Sequence, residues 1–414
     1  MTIHLYAEHL VNIRTLSIQA SLSTVSNTAT RATLSADGSA LTLAHEGEVA
    51  TINLPVAVPG GHNDATLAIP AAPTNDLSFR VSLQDKSAGN GLLAHANHES
   101  GIVVPWSAPS MTAASAIACQ SCNTEIVSQG QVKVWKDLPS ENWAEMMDFW
   151  HCHRPDVPHD RDRKTPIKGY SADSKLTIQS GVGMVDPTDF VFMPEDCSNL
   201  KTSPSPGTHS ADEYLTCSTC NTAIGHVHSS TGGYKLRKAY LSVSTAPGAP
   251  FTSYDPEKWL ACRLLSSMDS QGVRKFIIQS HHHDEPALKA WIFTPDIDVS
   301  SSAAQSPRPL RALKVLWMKC TASSAPTSAL NRQTLSEGEL ELHETEMNLL
   351  WKVLVKSSML FPEGGRKFQD WNVALLHRFT SADVGLEETG AGAPATLPQV
   401  PDLQNKKALS ALTT

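Results

Sequence analysis

The alternation of apolar and polar residues in the first part of the chain is typical of β-strands. Residues 15–22 alternate with a period near two. Two shorter alternating runs, 31–35 and 40–43, flank Asp37-Gly38, a dipeptide that favours the tight turn of a hairpin. No helical period competes with this pattern. We therefore predict an N-terminal β domain over residues 1–110, built as a sandwich or an open barrel.

A period of 3.6 residues appears later and predicts three helices. After Ser140, a favourable N-cap residue, apolar side chains recur at i, i+3, i+4 and i+7, namely Trp143, Met146, Met147 and Trp150. A second helix is predicted over residues 259–268. The longest spans residues 336–359, where the apolar side chains on one face are Leu340, Met347, Leu350 and Leu354. We interpret the apolar face of the first helix as core rather than as a partner-binding groove.

Between the helices, short apolar runs bounded by Pro, Ser and Gly predict further strands. These runs are 132–135, 175–179, 190–192, 234–244, 275–279, 290–293, 313–318 and 371–379. Residues 198–212 and 300–308 have the composition of linkers. The expected fold is therefore mainly β with several helices (α+β). Its expected divisions after residue 110 are a zinc-binding region (111–230), a C-terminal α+β region (231–380) and a disordered tail (381–414).

Composition narrows the range of functions. The chain has 414 residues and a net charge of −8, which argues against general binding to nucleic acids or anionic membranes. No apolar run approaches the roughly 20 residues that cross a bilayer, and the first residues lack the features of a signal peptide. The eight cysteines suggest metal binding in a reducing compartment. We expect a soluble protein of the nucleus and cytoplasm.

Two matched CxxC pairs are the strongest chemical signal. A CxxC turn places two sulfurs where both can bind one ion, so Cys119, Cys122, Cys217 and Cys220 supply a four-thiolate set. The interval between the pairs is far longer than that of a single zinc finger. A closed four-cysteine site leaves no position for water, which predicts a structural zinc that staples two distant segments. Histidines near the pairs are competing ligands, namely His151, His153, His226 and His228.

The residues around these pairs resemble two known groups of proteins. Residues 217–225 resemble the second knuckle of β-tent folds, such as Yippee proteins and the thalidomide-binding domain of cereblon, which implies a β-tent-like arrangement around the zinc. A longer match is carried by 119–122, 134–143 and 146–153, which resemble the HECT-like family of ubiquitin-conjugating-enzyme-binding proteins. That resemblance implies ubiquitin-protein ligase activity. In fungal members it also implies a link to mRNA cleavage and polyadenylation through the processing endonuclease.

A HECT-type mechanism needs a cysteine that accepts ubiquitin as a thioester. Four cysteines remain outside the predicted zinc site: Cys152, Cys197, Cys262 and Cys320. Cys320 precedes Thr321-Ala322-Ser323, a local similarity to the HECT nucleophile, but it lies too far from the C-terminus for the HECT arrangement. None has a strong claim from sequence, so the catalytic residue stays unknown. The run 281–285 is either a second metal site or, more simply, a solvated turn.

Three functional hypotheses follow. The first is a ubiquitin-system protein that binds a ubiquitin-conjugating enzyme and promotes ubiquitin transfer, by holding that enzyme or through its own cysteine. The second is a non-catalytic, zinc-stapled scaffold that binds the endonuclease of the mRNA 3′-end processing machinery. The third is a β-tent-type binder of small ligands or degrons. No P-loop, GxGxxG, HExxH or GxSxG motif points to another enzyme class.

Overall fold

The computed structural model describes most of the chain. The described residues are 3–58, 66–83, 103–138, 178–203, 213–228, 232–280, 286–320 and 337–385. The predicted helix after Ser140, the run 281–285 and residues 386–414 lie outside this part. So do Cys152 and its two flanking histidines, and residues 175–177 of the strand predicted over 175–179, whose last two residues are not in a strand.

The described elements are mostly strands. The N-terminal strands are β1 (Ile3–Leu10), β2 (Thr15–Leu22), β3 (Arg31–Leu34), β4 (Ala40–His45), β5 (Glu48–Asn53), β6 (Thr66–Leu67) and β7 (Asp76–Ser82). The central strands are β8 (Ala116–Cys119), β9 (Glu125–Val127), β10 (Val134–Asp137), β11 (Val182–Val185), β12 (Asp189–Phe192), β13 (Leu200–Ser203), β14 (Tyr214–Cys217), β15 (Ala223–His228), β16 (Gly233–Arg237) and β17 (Leu241–Ser244). The last elements are α1 (Pro256–Gln271), β18 (Lys275–Ser280), β19 (Ala287–Ser301), β20 (Leu310–Cys320), β21 (Glu337–Leu342), α2 (Glu344–Ser358), β22 (Lys367–Phe368) and β23 (Trp371–His377).

A nine-stranded sheet joins the two ends of the described chain. Its order is β22-β23-β20-β19-β1-β2-β7, and β18 pairs with both β19 and β21. β1 lies antiparallel to β2 on one side and to β19 on the other. The first and last predicted regions therefore share one sheet, although the domain boundaries themselves stay a prediction.

Three hydrophobic clusters pack against this sheet, and two of them lie beneath a second layer of the fold. A four-stranded sheet of order β5-β4-β3-β6 packs on its N-terminal strands, and the buried residues include Leu16, Ile18 and Leu43. The Asp37-Gly38 turn between β3 and β4 confirms the predicted hairpin. Helices α1 and α2 cover the C-terminal strands, where their leucines pack with residues such as Ile292 and Val315. The described fold is thus mainly β with two α-helices, in agreement with the expected class.

The prediction of one long helix over residues 336–359 is wrong in its first third. Residues 337–342 form β21, whose burial alternates along the strand, and it pairs in parallel with β18. The helix begins only at Glu344, because His343 and Glu346 form a capping box around its first turn. Leu340 therefore belongs to the sheet. Met347, Leu350 and Leu354 are buried on the helix, as predicted.

A second part of the fold carries the cysteine pairs. It contains a seven-stranded sheet of order β10-β11-β12-β16-β15-β14-β13 and a three-stranded sheet of order β17-β8-β9. The run 234–244, predicted as one strand, is broken by a 3-10 turn at Lys238–Tyr240. β16 precedes this turn and β17 follows it, so the chain passes from one sheet to the other. Among the described residues, no helix is both long and apolar enough to cross a membrane.

Candidate metal centre

Each CxxC pair occupies the turn of a β-hairpin. Cys119 is the last residue of β8 and Cys217 the last of β14, so each first cysteine is held by a strand. Asn123 and Asn221 then adopt left-handed backbone conformations, with φ of 58° and 57°. Asparagine tolerates this region better than most residues. The two turns therefore share one conformation, as their common Cys-Asn-Thr sequence suggests.

Backbone hydrogen bonds close both turns in the same way. In the first hairpin, the Cys119 N–H donates to the Thr124 carbonyl oxygen at 2.9 Å, and the Asn123 N–H donates to the Cys119 carbonyl oxygen at 2.8 Å. In the second, the corresponding bonds from Cys217 to Thr222 and from Asn221 to Cys217 are both 2.9 Å. We call residues 119–124 and 217–222 the first and second knuckle.

The two knuckles bring the four predicted sulfurs together. The Sγ atoms of Cys119 and Cys220 are 3.6 Å apart, as are those of Cys122 and Cys217. All four lie within 4.8 Å of one another. With Zn–S bonds of about 2.3 Å, an ideal tetrahedron has S···S edges of about 3.8 Å, because its edge is about 1.63 times the bond length. The donor set and its spacing therefore fit one tetrahedral ion.

Hydrogen-bond donors around the sulfurs favour thiolates. Hydrogen bonds from the side chain and the backbone of Thr124 lower the pKa of Cys122, and those from Thr222 lower the pKa of Cys220 to about 6. Burial raises the pKa of Cys119 to about 12, although it accepts hydrogen bonds from the backbone N–H groups of the following residues. A bound cation would favour its thiolate form in turn.

A short loop also links the two knuckles independently of any metal. The Asn199 side-chain amide donates to the Glu125 carbonyl oxygen at 2.8 Å, just after the first knuckle. The carbonyl oxygen of Asn199 accepts the N–H of Ser218, in the second knuckle, at 2.9 Å. Asn199 also has a positive φ of 57°. The sequence predicted that this residue lies in a linker. Its only signal was that asparagine tolerates a left-handed backbone conformation.

The protein is similar to known sequences over most of its length. Residues 8–373 match the family described as HECT-like ubiquitin-conjugating enzyme (E2)-binding. The chain belongs to this family. This match confirms the resemblance to the HECT-like family that the first knuckle and the residues after it indicated.

Individual relatives of this HECT-like chain are distant. It is 28% identical over 260 residues to an uncharacterised protein of Saccharomyces cerevisiae, covering 62% of this chain and 67% of the relative. It is 26% identical over 299 residues to an uncharacterised protein of Schizosaccharomyces pombe, covering 67% and 78%. It is 24% identical over 285 residues to an E3 ubiquitin-protein ligase of Bos taurus, covering 62% and 71%. No solved structure matches the chain.

Of the histidines considered as competing ligands, His226 and His228 lie within the described residues, and neither joins the cysteine cluster. His226 lies on β15, opposite Tyr214 of β14, and His228 lies at the far end of the same strand from the second knuckle. Within the described ranges, the four cysteines are the group of His, Cys, Asp and Glu side chains whose ligand atoms converge on one point. The arrangement is therefore a four-sulfur set that could hold one metal ion.

The other described cysteines of this HECT-like protein are not activated. Burial raises the pKa of Cys197 to about 12, and the Asp196 carboxylate adds to the shift. Burial also raises the pKa of Cys262 to about 12. Cys320 ends β20, and burial raises its pKa as well. Since the nucleophile in thioester formation is the thiolate, none of the three is poised for it.

A buried ion cluster joins the part that carries the cysteine pairs to the helices. Glu346 in the first turn of α2 accepts from Arg237 of β16 at 2.8 Å and from Arg263 of α1 at 3.0 Å. Burial opposes its ionisation, but the two guanidinium groups keep the pKa of Glu346 below its ordinary value. Sequence reasoning missed this cluster. Its one local signal is the capping-box pattern of His343 and Glu346.

Proposed function

We propose that this protein binds a ubiquitin-conjugating enzyme and promotes ubiquitin transfer from that enzyme without forming a thioester of its own. The observation that carries the proposal is the family match over residues 8–373, because the family is described by its binding to conjugating enzymes. The relative from Bos taurus that is named as an E3 ubiquitin-protein ligase supports the transfer step.

The choice between holding the conjugating enzyme and accepting ubiquitin covalently rests on the three described cysteines outside the cluster, Cys197, Cys262 and Cys320. Cys262 is 3% exposed and lies on the buried face of α1, so a ubiquitin C-terminus has no access to it. Cys197 and Cys320 are partly exposed, but their thiols are disfavoured as nucleophiles by raised pKa values. Holding a charged conjugating enzyme in a reactive geometry needs no cysteine on this chain.

The four-cysteine centre has a structural role in this proposal. Its sulfurs fit Zn²⁺, whose preferred ligand set in closed structural sites is four thiolates in a tetrahedron. Cys119, Cys122, Cys217 and Cys220 would hold the ion. With all four positions taken by protein, the site would supply cross-linking between the knuckles rather than reaction chemistry.

Discharge of ubiquitin from a preloaded conjugating enzyme tests the transfer step. Purified full-length protein is added to a panel of charged conjugating enzymes with free lysine as acceptor, and loss of the thioester is followed on non-reducing gels. We expect faster discharge with at least one enzyme of the panel, together with binding of that enzyme in a pull-down. If the protein neither binds nor speeds discharge of any member, the proposal is wrong.

A cysteine series separates the two mechanisms. The variants Cys152→Ala, Cys197→Ala, Cys262→Ala and Cys320→Ala, alone and combined, should all retain the acceleration. No ubiquitin adduct that dithiothreitol removes should form on this chain. Loss of activity in one variant, together with loss of such an adduct, would instead establish a catalytic cysteine.

Binding of the mRNA 3′-end processing endonuclease and residence in nucleus and cytoplasm stay predictions. Co-purification with the endonuclease from fungal extract, judged against the proteins recovered with an unrelated bait, is the measurement that addresses the first.

A further inference from the structure

Hydroxyl groups form two short chains that cross between the knuckles. The Thr124 hydroxyl lies 3.2 Å from the Cys122 sulfur of its own knuckle and 3.0 Å from the Thr219 hydroxyl of the other. The Thr222 hydroxyl lies 3.2 Å from the Cys220 sulfur of its own knuckle and 3.3 Å from the Ser121 hydroxyl of the other. The two chains correspond to each other: one joins Thr219, Thr124 and Cys122, and the other joins Ser121, Thr222 and Cys220.

The charge on sulfur determines the direction of each chain. A hydroxyl has one hydrogen to donate. When the cysteine is a thiol, it donates to its threonine, and that threonine donates onward across the interface. A metal-bound thiolate is only an acceptor, so Thr124 and Thr222 must then turn their hydrogens to sulfur. Each threonine oxygen is thereby free to accept from Thr219 or Ser121, and both chains run inward to the metal.

We infer that Thr124 and Thr222 are positioning residues for the metal, and that Thr219 and Ser121 complete two crossed hydroxyl relays that strengthen its binding. The inference rests on the metal site proposed above. Because each relay begins on one knuckle and ends on a sulfur of the other, metal binding and the docking of the two knuckles reinforce each other. Outer hydrogen bonds of this kind orient ligands and typically contribute 10–100-fold to metal affinity.

The local geometry makes the threonines better suited than other hydroxyl residues to this task. Each follows the asparagine with positive φ, so its backbone N–H and its hydroxyl reach the same sulfur. The β-branched side chain also has few rotamers, which lowers the entropy lost when its hydroxyl is held. Both threonines are partly buried, whereas Thr219 and Ser121 are exposed.

Metal competition tests the inference on the full-length protein. The variants Thr124→Val and Thr222→Val keep the shape of the side chain and remove the hydroxyl. Zn²⁺ affinity is measured against a chromophoric chelator, and Co²⁺ is added separately to follow the sulfur-to-metal charge-transfer band. We expect each valine variant to bind Zn²⁺ about 10-fold more weakly and the double variant about 100-fold. Thr124→Ser and Thr222→Ser keep the hydroxyl, and each should retain at least a third of the wild-type affinity.

Matched controls distinguish the relays from general effects. Thr216→Val removes a nearby hydroxyl that contacts the Lys201 carbonyl oxygen and no sulfur, so its affinity should equal that of the wild type. If a valine variant fails to fold, Thr219→Ala and Ser121→Ala remove only the exposed outer donors, and each should weaken Zn²⁺ binding two- to tenfold.

The outcomes separate this inference from the metal proposal. Wild-type protein that binds neither Zn²⁺ nor Co²⁺ would refute both. Wild-type binding that the threonine changes leave within twofold would refute the relays alone. Equal losses in the valine and serine variants would also refute them, because the hydroxyl would then not be the cause.

Discussion

The buried carboxylate of Glu346 offers the sharpest test of how the two parts of this protein are joined. Its side chain is 7% exposed and bonds Arg237, which is 11% exposed, and Arg263, which is 26% exposed. It also accepts the N–H of His343 at 3.2 Å as part of the capping box. The change Glu346→Gln keeps the size of the side chain and removes its charge.

The expected loss of stability follows from the charged groups that remain around residue 346 after the change. Removing one partner of a buried ion pair typically costs 3–5 kcal/mol, because a charge is left without compensation. Here Arg237 stays almost enclosed, whereas Arg263 is reached by water, which reduces its share of the penalty. The capping bond survives in part, since the amide oxygen of glutamine still accepts. We expect Glu346→Gln to lower the free energy of unfolding by about 3 kcal/mol.

Urea unfolding followed by tryptophan fluorescence measures this loss. Glu344→Gln is the matched control, because Glu344 lies in the same helical turn but is exposed. It should change the free energy by no more than about 0.5 kcal/mol. A double-mutant cycle with Arg237→Met should give a coupling energy above about 1 kcal/mol. A loss below about 1 kcal/mol for Glu346→Gln, or equal losses for the two glutamates, would refute the reasoning.

Three further predictions concern the metal centre, a close backbone contact and a buried lysine. Cys119→Ser should reduce metal content, expected at about one zinc per chain in the wild type, and should unfold or strongly destabilise the protein; elemental analysis and circular dichroism measure both. Gly225→Ala should cost roughly 3 kcal/mol in urea unfolding, because its Cβ would lie 2.2 Å from the Lys235 carbonyl oxygen. Gly47→Ala, in open space at φ +81°, should cost only about 1 kcal/mol. Burial lowers the pKa of Lys238 from 10.5 to about 8. Between pH 8 and pH 10.5 the unfolded chain therefore binds more protons than the folded chain. The free energy of unfolding of the wild type should rise with pH over this range, relative to that of Lys238→Met, by up to about 3 kcal/mol. Unfolding at pH 7.5 and pH 10 measures this difference, and an unchanged difference would contradict the prediction.

Local patterns predicted several of the strands, but not β11, β14 or β15, and β13 lies within the run 198–212 that was predicted as a linker. Residues 15–22 form β2 with the predicted bounds, and the Asp37-Gly38 hairpin lies where its turn residues indicated. These elements depend on alternation and on turn residues, both of which are local properties. The run 337–342 was assigned to a helix because leucines in β21 continue the period of α2. Pairing with β18 outweighed that period, and no local signal reveals a partner more than fifty residues away.

The candidate site likewise has residues that the sequence predicted and residues that only the structure revealed. The four cysteines were identified from sequence because thiolate pairs at CxxC spacing have few other uses. The hydroxyl relays through Thr124 and Thr222 were not identified from sequence, because threonines near cysteines are common. These threonines gain their partners only because the two knuckles face each other in the fold. Glu346 was missed for the same reason, as its arginines lie on β16 and α1.

By itself, the sequence determined the β character, the four-cysteine set and the HECT-like resemblance, because each depends on residues close together in the chain. Only the tertiary structure decided that the first and last strands share a sheet and that two distant hairpins face each other across 3.6 Å between sulfurs. It also decided that the buried Glu346 links the sheets that carry the cysteine pairs to the two helices. Contacts of this kind depend on how whole elements pack, and the sequence pattern of one element does not specify its neighbour.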